Sequence, residues 1–191
     1  MSDFTAVACD DGKVRKLGGG LTVVACVAYR ELQPRHVSLG LLHVDGLDAT
    51  SVISGLVRLA ASPPGVVLLD SVTIAGFNVV SLPGVHRATG MPVVVVYTYM
   101  PSLGRLSRPL REHFADSELR LKVLSVISSA KEVETPRGRL YIIPWGLSLD
   151  EAVRLIELYQ VFTRVPEPLR VAHRVASEAS EVIMGAWGNA Q

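Results

Sequence analysis

The chain has no run of about 18 uninterrupted apolar residues, the length a helix needs to cross a bilayer. Its longest apolar stretches, LTVVACVAY and PVVVVY, have strand length and are rich in valine. Only two cysteines occur in 191 residues, too few for a zinc site at their spacing without histidine help. Neither charge dominates: 19 basic and 18 acidic residues leave a net +1. That rules out a histone-like polycation but allows cations along one groove. There is no GxxxxGK[ST] or GxGxxG sequence, so the glycines of KLGGG read as a hairpin turn rather than a phosphate loop. The first residues, MSDFTAVACDDG, lack the basic head and apolar middle of a secretion signal. The expectation is a cytoplasmic protein without a membrane segment, repeat, low-complexity tract or linker.

What the chain has is apolar mass. Hydrophobic residues make up 49% and mean hydropathy is +0.34. One domain over residues 1–191 can bury a full core. Apolar content this high leaves little polar surface, which raises the expectation of a homodimer. Cys9 and Cys26 lie in apolar strand-like runs. A hairpin centred near residues 17 and 18 would set them face to face, but a reducing compartment favours two separate buried thiols.

The first third reads as three antiparallel strands, FTAVACD, LTVVACVAYR and HVSLGLLHV, joined by KLGGG and ELQPR. Apolar residues at 52, 53, 56, 57 and 60 then mark a helix face, which SPPG ends. GVVLLD and PVVVVYT are near-continuous aliphatic runs, as expected of parallel strands covered on both sides. A short helix is expected between them, near 79–88. Leu103, Leu106, Leu110 and Phe114 share another helix face, and 118–129 reads as helical. KEVETPRGRLYIIPW reads as a hairpin with Pro136 and Gly138 at its turn. Ser148 and Glu151 form a capping box. A last helix follows Pro166, with a seam at Leu169, Ala172, Ala176, Ala179 and Ile183. This is an α/β order: three antiparallel strands, then two parallel ones, flanked by helices, with an added C-terminal hairpin and helices. Ribonuclease H-like mixed sheets share it.

In that order, acids fall at strand ends. Asp10 closes the first strand and Asp70 the fourth, where four aliphatic residues before it imply burial. Asp48 precedes the first helix, close enough to join them. If the two strands are neighbours, the carboxylates converge as magnesium requires, with waters and phosphate oxygens completing its shell. Each acid also has a plainer use. Asp48 suits a helix cap accepting from the amide near Ser51, Asp45-Gly46 suits a turn, and Asp10-Asp11-Gly12 suits another. Asn78 and Thr73 either line the same opening or satisfy the backbone of a turn. His43 and His173 read as structural. Arg105, Arg108 and Arg111 recur at one-turn spacing, as a solvated face or a rim that tracks phosphates. Tyr97, Tyr99 and Met100 either pack or wall a base.

The combination ACDDG, VDGLDAT, LLDSVTIAGFN, GMPVVVV and VPEPLRVAH resembles the archaeal family catalogued as domain of unknown function 99, also called endonuclease dU. The resemblance spans about residues 6 to 180. That family looks like a relative of endonuclease V, which has the ribonuclease H-like fold and nicks nucleic acid near deaminated bases using magnesium. The resemblance implies Asp10, Asp48 and Asp70 as metal-binding, catalytic acids. The implied cofactor is Mg2+, with Mn2+ as its substitute, and the implied partner is nucleic acid, DNA above all. Asn78, Arg105 and Arg108 would contact the nucleic acid. Three departures stand out. Ser71 occupies a position usually glycine in the family. Thr98 falls where endonuclease V has a lysine, and the aromatic-proline wedge of endonuclease V is missing. The sequence therefore leaves three readings: a magnesium-dependent endonuclease, a nucleic-acid-binding module without chemistry, and a small-molecule phosphate enzyme or binder.

Overall fold

The computed structural model of the chain describes residues 4–14 and 18–188, the last three as backbone only. In chain order the elements are β1 (Thr5–Asp11), β2 (Leu21–Arg30), β3 (Gln33–His43), α1 (Ala49–Ala60) and β4 (Gly65–Leu69). Next come the two-residue strands β5 (Thr73–Ile74) and β6 (Asn78–Val79), α2 (Leu82–Thr89) and β7 (Val93–Tyr97). The last third holds α3 (Leu103–His113), α4 (Ser117–Leu124), β8 (Lys131–Thr135), β9 (Gly138–Trp145), α5 (Leu149–Tyr159) and α6 (Glu167–Gly188).

One seven-stranded sheet, ordered β3-β2-β1-β4-β7-β9-β8, forms the frame. β1, β4 and β7 run parallel at its centre, and the other neighbours pair antiparallel. The aliphatic runs fall where both faces are covered: every residue of β4 and β7 is buried. Alternate side chains feed two cores. Val7, Cys9, Val67 and Val95 pack with α1 and α2, while Ala6, Ala8, Leu68 and Val94 pack with α5 and α6. No helix among the described residues is long and apolar enough to cross a membrane.

Several expectations are corrected. β3 starts at Gln33, so ELQPR is mostly strand and the turn is shorter than its proline suggests. The helix expected over 118–129 divides into α4 and a 3-10 turn at Ser125–Ser129. Cys9 and Cys26 form a disulfide rather than two thiols. The register pairs them directly, with Cα atoms 4.1 Å apart and both side chains buried, the close spacing of a non-hydrogen-bonded antiparallel pair. Part of the KLGGG turn, Lys16 and Leu17, lies outside the described residues. The amide of Gly18 donates to Asp45 Oδ2 at 2.6 Å, so this glycine serves a turn contact. The capping box at Ser148 and Glu151 is present as expected.

Candidate active site

β1 and β4 pair in parallel with Cys9 beside Leu69, so the next residues, Asp10 and Asp70, leave the central strands side by side. Alternation along β1 then chooses a side. Ala6 and Ala8 face α5 and α6, and Asp10 follows them. Gly12 lets α6 come close. A Cβ there would collide with Ser180 and with the carbonyl of Ala176. This close crossing brings His173 of α6 over the strand end, with Nδ1 2.8 Å from Asp10 Oδ2. Asp10, Asp70, Ser71, Thr98, Arg170 and His173 line one cavity of about 300 Å³.

Asp10 is buried, and the Asp11 amide donates to its Oδ1 at 2.8 Å. Burial, then repulsion from Asp70 and Asp11, pushes its pKa up to about 9. Asp70 differs from expectation. Burial of residues 66–69 stops at the strand end, and Asp70 itself is exposed to the cavity. The protein crowding around it, together with repulsion from Asp11, still raises its pKa to about 7. The backbone amides of Asp70 itself and of Ser71 oppose that rise. Asp11 turns to the other side of the sheet, where its Oδ2 accepts from the Ala75 amide at 2.7 Å. Burial raises its pKa too.

Asp48 is not among the residues lining this cavity. His43 Nδ1 lies 2.7 Å from its Oδ2, and Asn78 Nδ2 donates to its Oδ1 at 2.6 Å. It stands before α1 as expected, but its side chain caps nothing. Asn78 Oδ1 accepts from the Ala49 amide instead, at 3.0 Å. The expectation that Asn78 contacts nucleic acid is therefore corrected. The residue is fully buried, and its amide is spent on Ala49, Asp48 and the carbonyl of His43. A second cavity of about 340 Å³ shares Ser71, Tyr97 and Tyr99 with the first and has Arg105 on its wall. Arg108 lies exposed on α3, paired with Glu112 at 2.8 Å.

Sequence reading missed His173 and Arg170. The available signal was their one-turn spacing beside the buried seam at Leu169 and Ala172.

Whether these residues suit a divalent metal is a question of donor chemistry. Among the described residues, no three His, Cys, Asp or Glu side chains form a ready metal cage. Asp10 and Asp70 nevertheless supply two hard oxygen donors whose mutual repulsion a cation would relieve. Magnesium is commonly held by one or two carboxylates plus waters and substrate phosphates. The pair fits that mode and does not fit an all-protein cage.

The comparisons agree with this frame. Residues 2–180 match the family model of endonuclease dU. A UPF0215 protein of Aeropyrum pernix is 50% identical over 182 residues, 93% of this chain and 98% of that one. The solved structure of a protein of unknown function from Archaeoglobus fulgidus has a TM-score of 0.78 at 26% identity, over 92% of this chain and 98% of its own. Endonuclease V of Ciona intestinalis was solved with a 24mer DNA containing an inosine followed by a ribo-adenosine. Its TM-score is 0.57 at 13% identity, covering 95% of this chain and 86% of that one. The likeness to endonuclease V identifies the fold as ribonuclease H-like. By its family match and its relatives, the chain belongs to the endonuclease dU family.

Proposed function

We propose that this protein is a divalent-metal-dependent endonuclease that hydrolyses phosphodiester bonds in DNA. Family membership and the likeness to endonuclease V support a nuclease-like function. The observation that carries the finer reading is the meeting of Asp10 and Asp70 at the head of the central strands, beneath His173. Asp10 and Asp70 would hold Mg2+, or Mn2+ in its place. Bound there, the ion would supply positive charge to phosphate oxygens and acidify a water.

The chain's own residues do the rest. Asp10 is oriented from both sides, by the Asp11 amide and by His173, and each of its oxygens keeps a second lone pair for a cation. His173 Nδ1 lies 2.8 Å from Asp10 Oδ2. Its Nε2 has no protein partner among the described residues and is free to exchange a proton at the reacting phosphate. Arg170 at the cavity, with Arg105 and Arg108 on α3, supplies cations for flanking phosphates. Asp48 acts from outside the cavity: with Asn78 it fixes the start of α1.

The test is nicking of plasmids that are unmodified, uracil-containing or inosine-containing, with magnesium and with chelator. Deaminated bases are included because of the family's name and the DNA bound by the Ciona enzyme. Asp70→Asn should lower the rate at least ~100-fold. Equal nicking by both proteins would remove the proposal. One observation favours the binding module instead, namely that among the described residues only two carboxylates, Asp10 and Asp70, line the cavity. Salt-sensitive binding without metal-dependent cleavage would select that reading.

A further inference from the structure

The two borders of the sheet are built differently. β8 has five residues, and Lys131, Glu132 and Glu134 are exposed along it. Arg139 of β9 pairs with both glutamates. A short, charged border strand resists further pairing. β3 has eleven residues, and from Val37 to Leu42 it carries neither charge nor proline. Val37, Leu39 and Leu41 share one face and are 46%, 46% and 38% exposed. Their partners on β2, Val27, Ala25 and Val23, are buried. Cover over this face therefore stops one strand short of the border. The covering helix is α6, whose Ile183 flanks a groove of about 190 Å³ with Val23, Leu39 and Leu41. α6 continues past Ile183 to Gly188, and Val182 beside it is 73% exposed.

We propose that a second copy of the chain covers this face, with β3 pairing antiparallel to its own image about a two-fold axis at Leu39. The apolar row is self-complementary in that register: Leu39 meets Leu39, and Val37 meets Leu41. The charges complement as well. Arg30 and Arg35 lie toward one end of β3, and Asp45 and Asp48 follow the other. Antiparallel pairing brings Arg35 of one copy, the bulged residue of β3 between Pro34 and His36, toward the end of β3 that precedes Asp45 and Asp48 in the other. Among the described residues Arg35 has no ion pair within its own chain.

The size is adequate. A two-fold axis at Leu39 pairs residues 35–43 of β3 with one another, nine residues running ~30 Å. With the adjoining side of α6, a strip ~20 Å wide covers roughly 600 Å² per copy, the lower end of the ~600–1,000 Å² per partner of standard stable interfaces. The assembly also closes, because pairing two β3 borders leaves a charged β8 at each outer edge and stops growth at two.

Sedimentation equilibrium of the full chain should show a dimer at micromolar concentration. Leu39→Lys sets two ammonium groups face to face and should weaken dimerisation at least ~10-fold. Its far-UV circular dichroism should be unchanged, since the side chain is half exposed. Leu39→Cys gives a positive test that does not depend on loss. The native cysteines are already paired, and directly opposed residues stand ~5 Å apart at Cβ. Mild oxidation should therefore link two chains. A monomer at every concentration overturns the proposal. So does a dimer that is indifferent to Leu39→Lys, or one that Leu39→Cys fails to cross-link.

Discussion

Asp10 and His173 meet at 2.8 Å, and Asp48 and His43 meet at 2.7 Å. Each pair joins a carboxylate oxygen to Nδ1 of an exposed imidazole, yet the two acids move in opposite directions. Burial and the charges of Asp70 and Asp11 lift Asp10. Burial would lift Asp48 as well, but the bonds from His43 and Asn78 outweigh it and hold that acid below its ordinary range. The histidine does not make the difference; the remaining neighbours do. Asp48 is surrounded by donors and is electrostatically complete. Asp10 faces like charge and is completed only by a cation or a proton. The same two side-chain types thus build a self-contained clasp in one place and a carboxylate held among like charges in the other.

The sharpest way to break this contrast is to remove each imidazole. His173→Gln should lower the nicking rate or raise the magnesium needed for half-maximal rate, by ~10–100-fold. That is the usual cost of losing a group that orients a metal ligand. His43→Gln should leave both unchanged. Magnesium titrations of plasmid nicking measure the two variants side by side. Equal losses would mean that the Asp48 pair belongs to the chemistry too.

Proton linkage gives a smaller effect with a definite sign. In chelator the folded chain holds protons on Asp70 up to about pH 7 and on Asp10 up to about pH 9. The unfolded chain releases them near the ordinary carboxylate value. Between those limits the native state binds more protons, so stability must fall as pH rises. The stabilisation is complete below the unfolded value and lost as pH passes through the folded ones. Thermal unfolding in chelator should therefore occur at progressively lower temperature from pH 5 to pH 9. Magnesium should restore it most at the alkaline end. Asp70→Asn should flatten the slope, and a slope unchanged by that substitution would contradict the repulsion.

Much of this arrangement was legible in the sequence because it rests on backbone rules. Near-continuous valine and leucine runs mark β4 and β7 as central strands, and an acid at the end of β4 must then emerge beside the end of a neighbouring strand. What was not legible depends on how distant elements cross. His173 looks structural in α6 until Gly12 allows that helix onto β1. Asp48 has the spacing of a helix cap, but Asn78, thirty residues away, takes the role through a turn no local pattern announces. The disulfide sets geometry against environment. The register that faces Cys9 to Cys26 was readable, and the expected reducing compartment argued against the bond. Exposure of Asp70 was hidden because aliphatic residues predict burial only as far as the strand extends.

The smallest effect is the most discriminating. Asp48→Asn keeps the size of the side chain and removes the charge that His43 and Asn78 hold. Asp48 is partly exposed, so losing this pairing should cost no more than about 1 kcal/mol of stability, read as a shift in the urea midpoint. Nicking per folded molecule should stay at the wild-type rate, because the carboxylate does not reach the cavity of Asp10 and Asp70. Asp70→Asn should do the reverse, keeping or raising stability in chelator while removing activity. If Asp48→Asn silences the protein without loosening its fold, the loop before α1 must move to bring that carboxylate to the metal in the working complex. The contrast between clasp and site would then belong only to the ligand-free state.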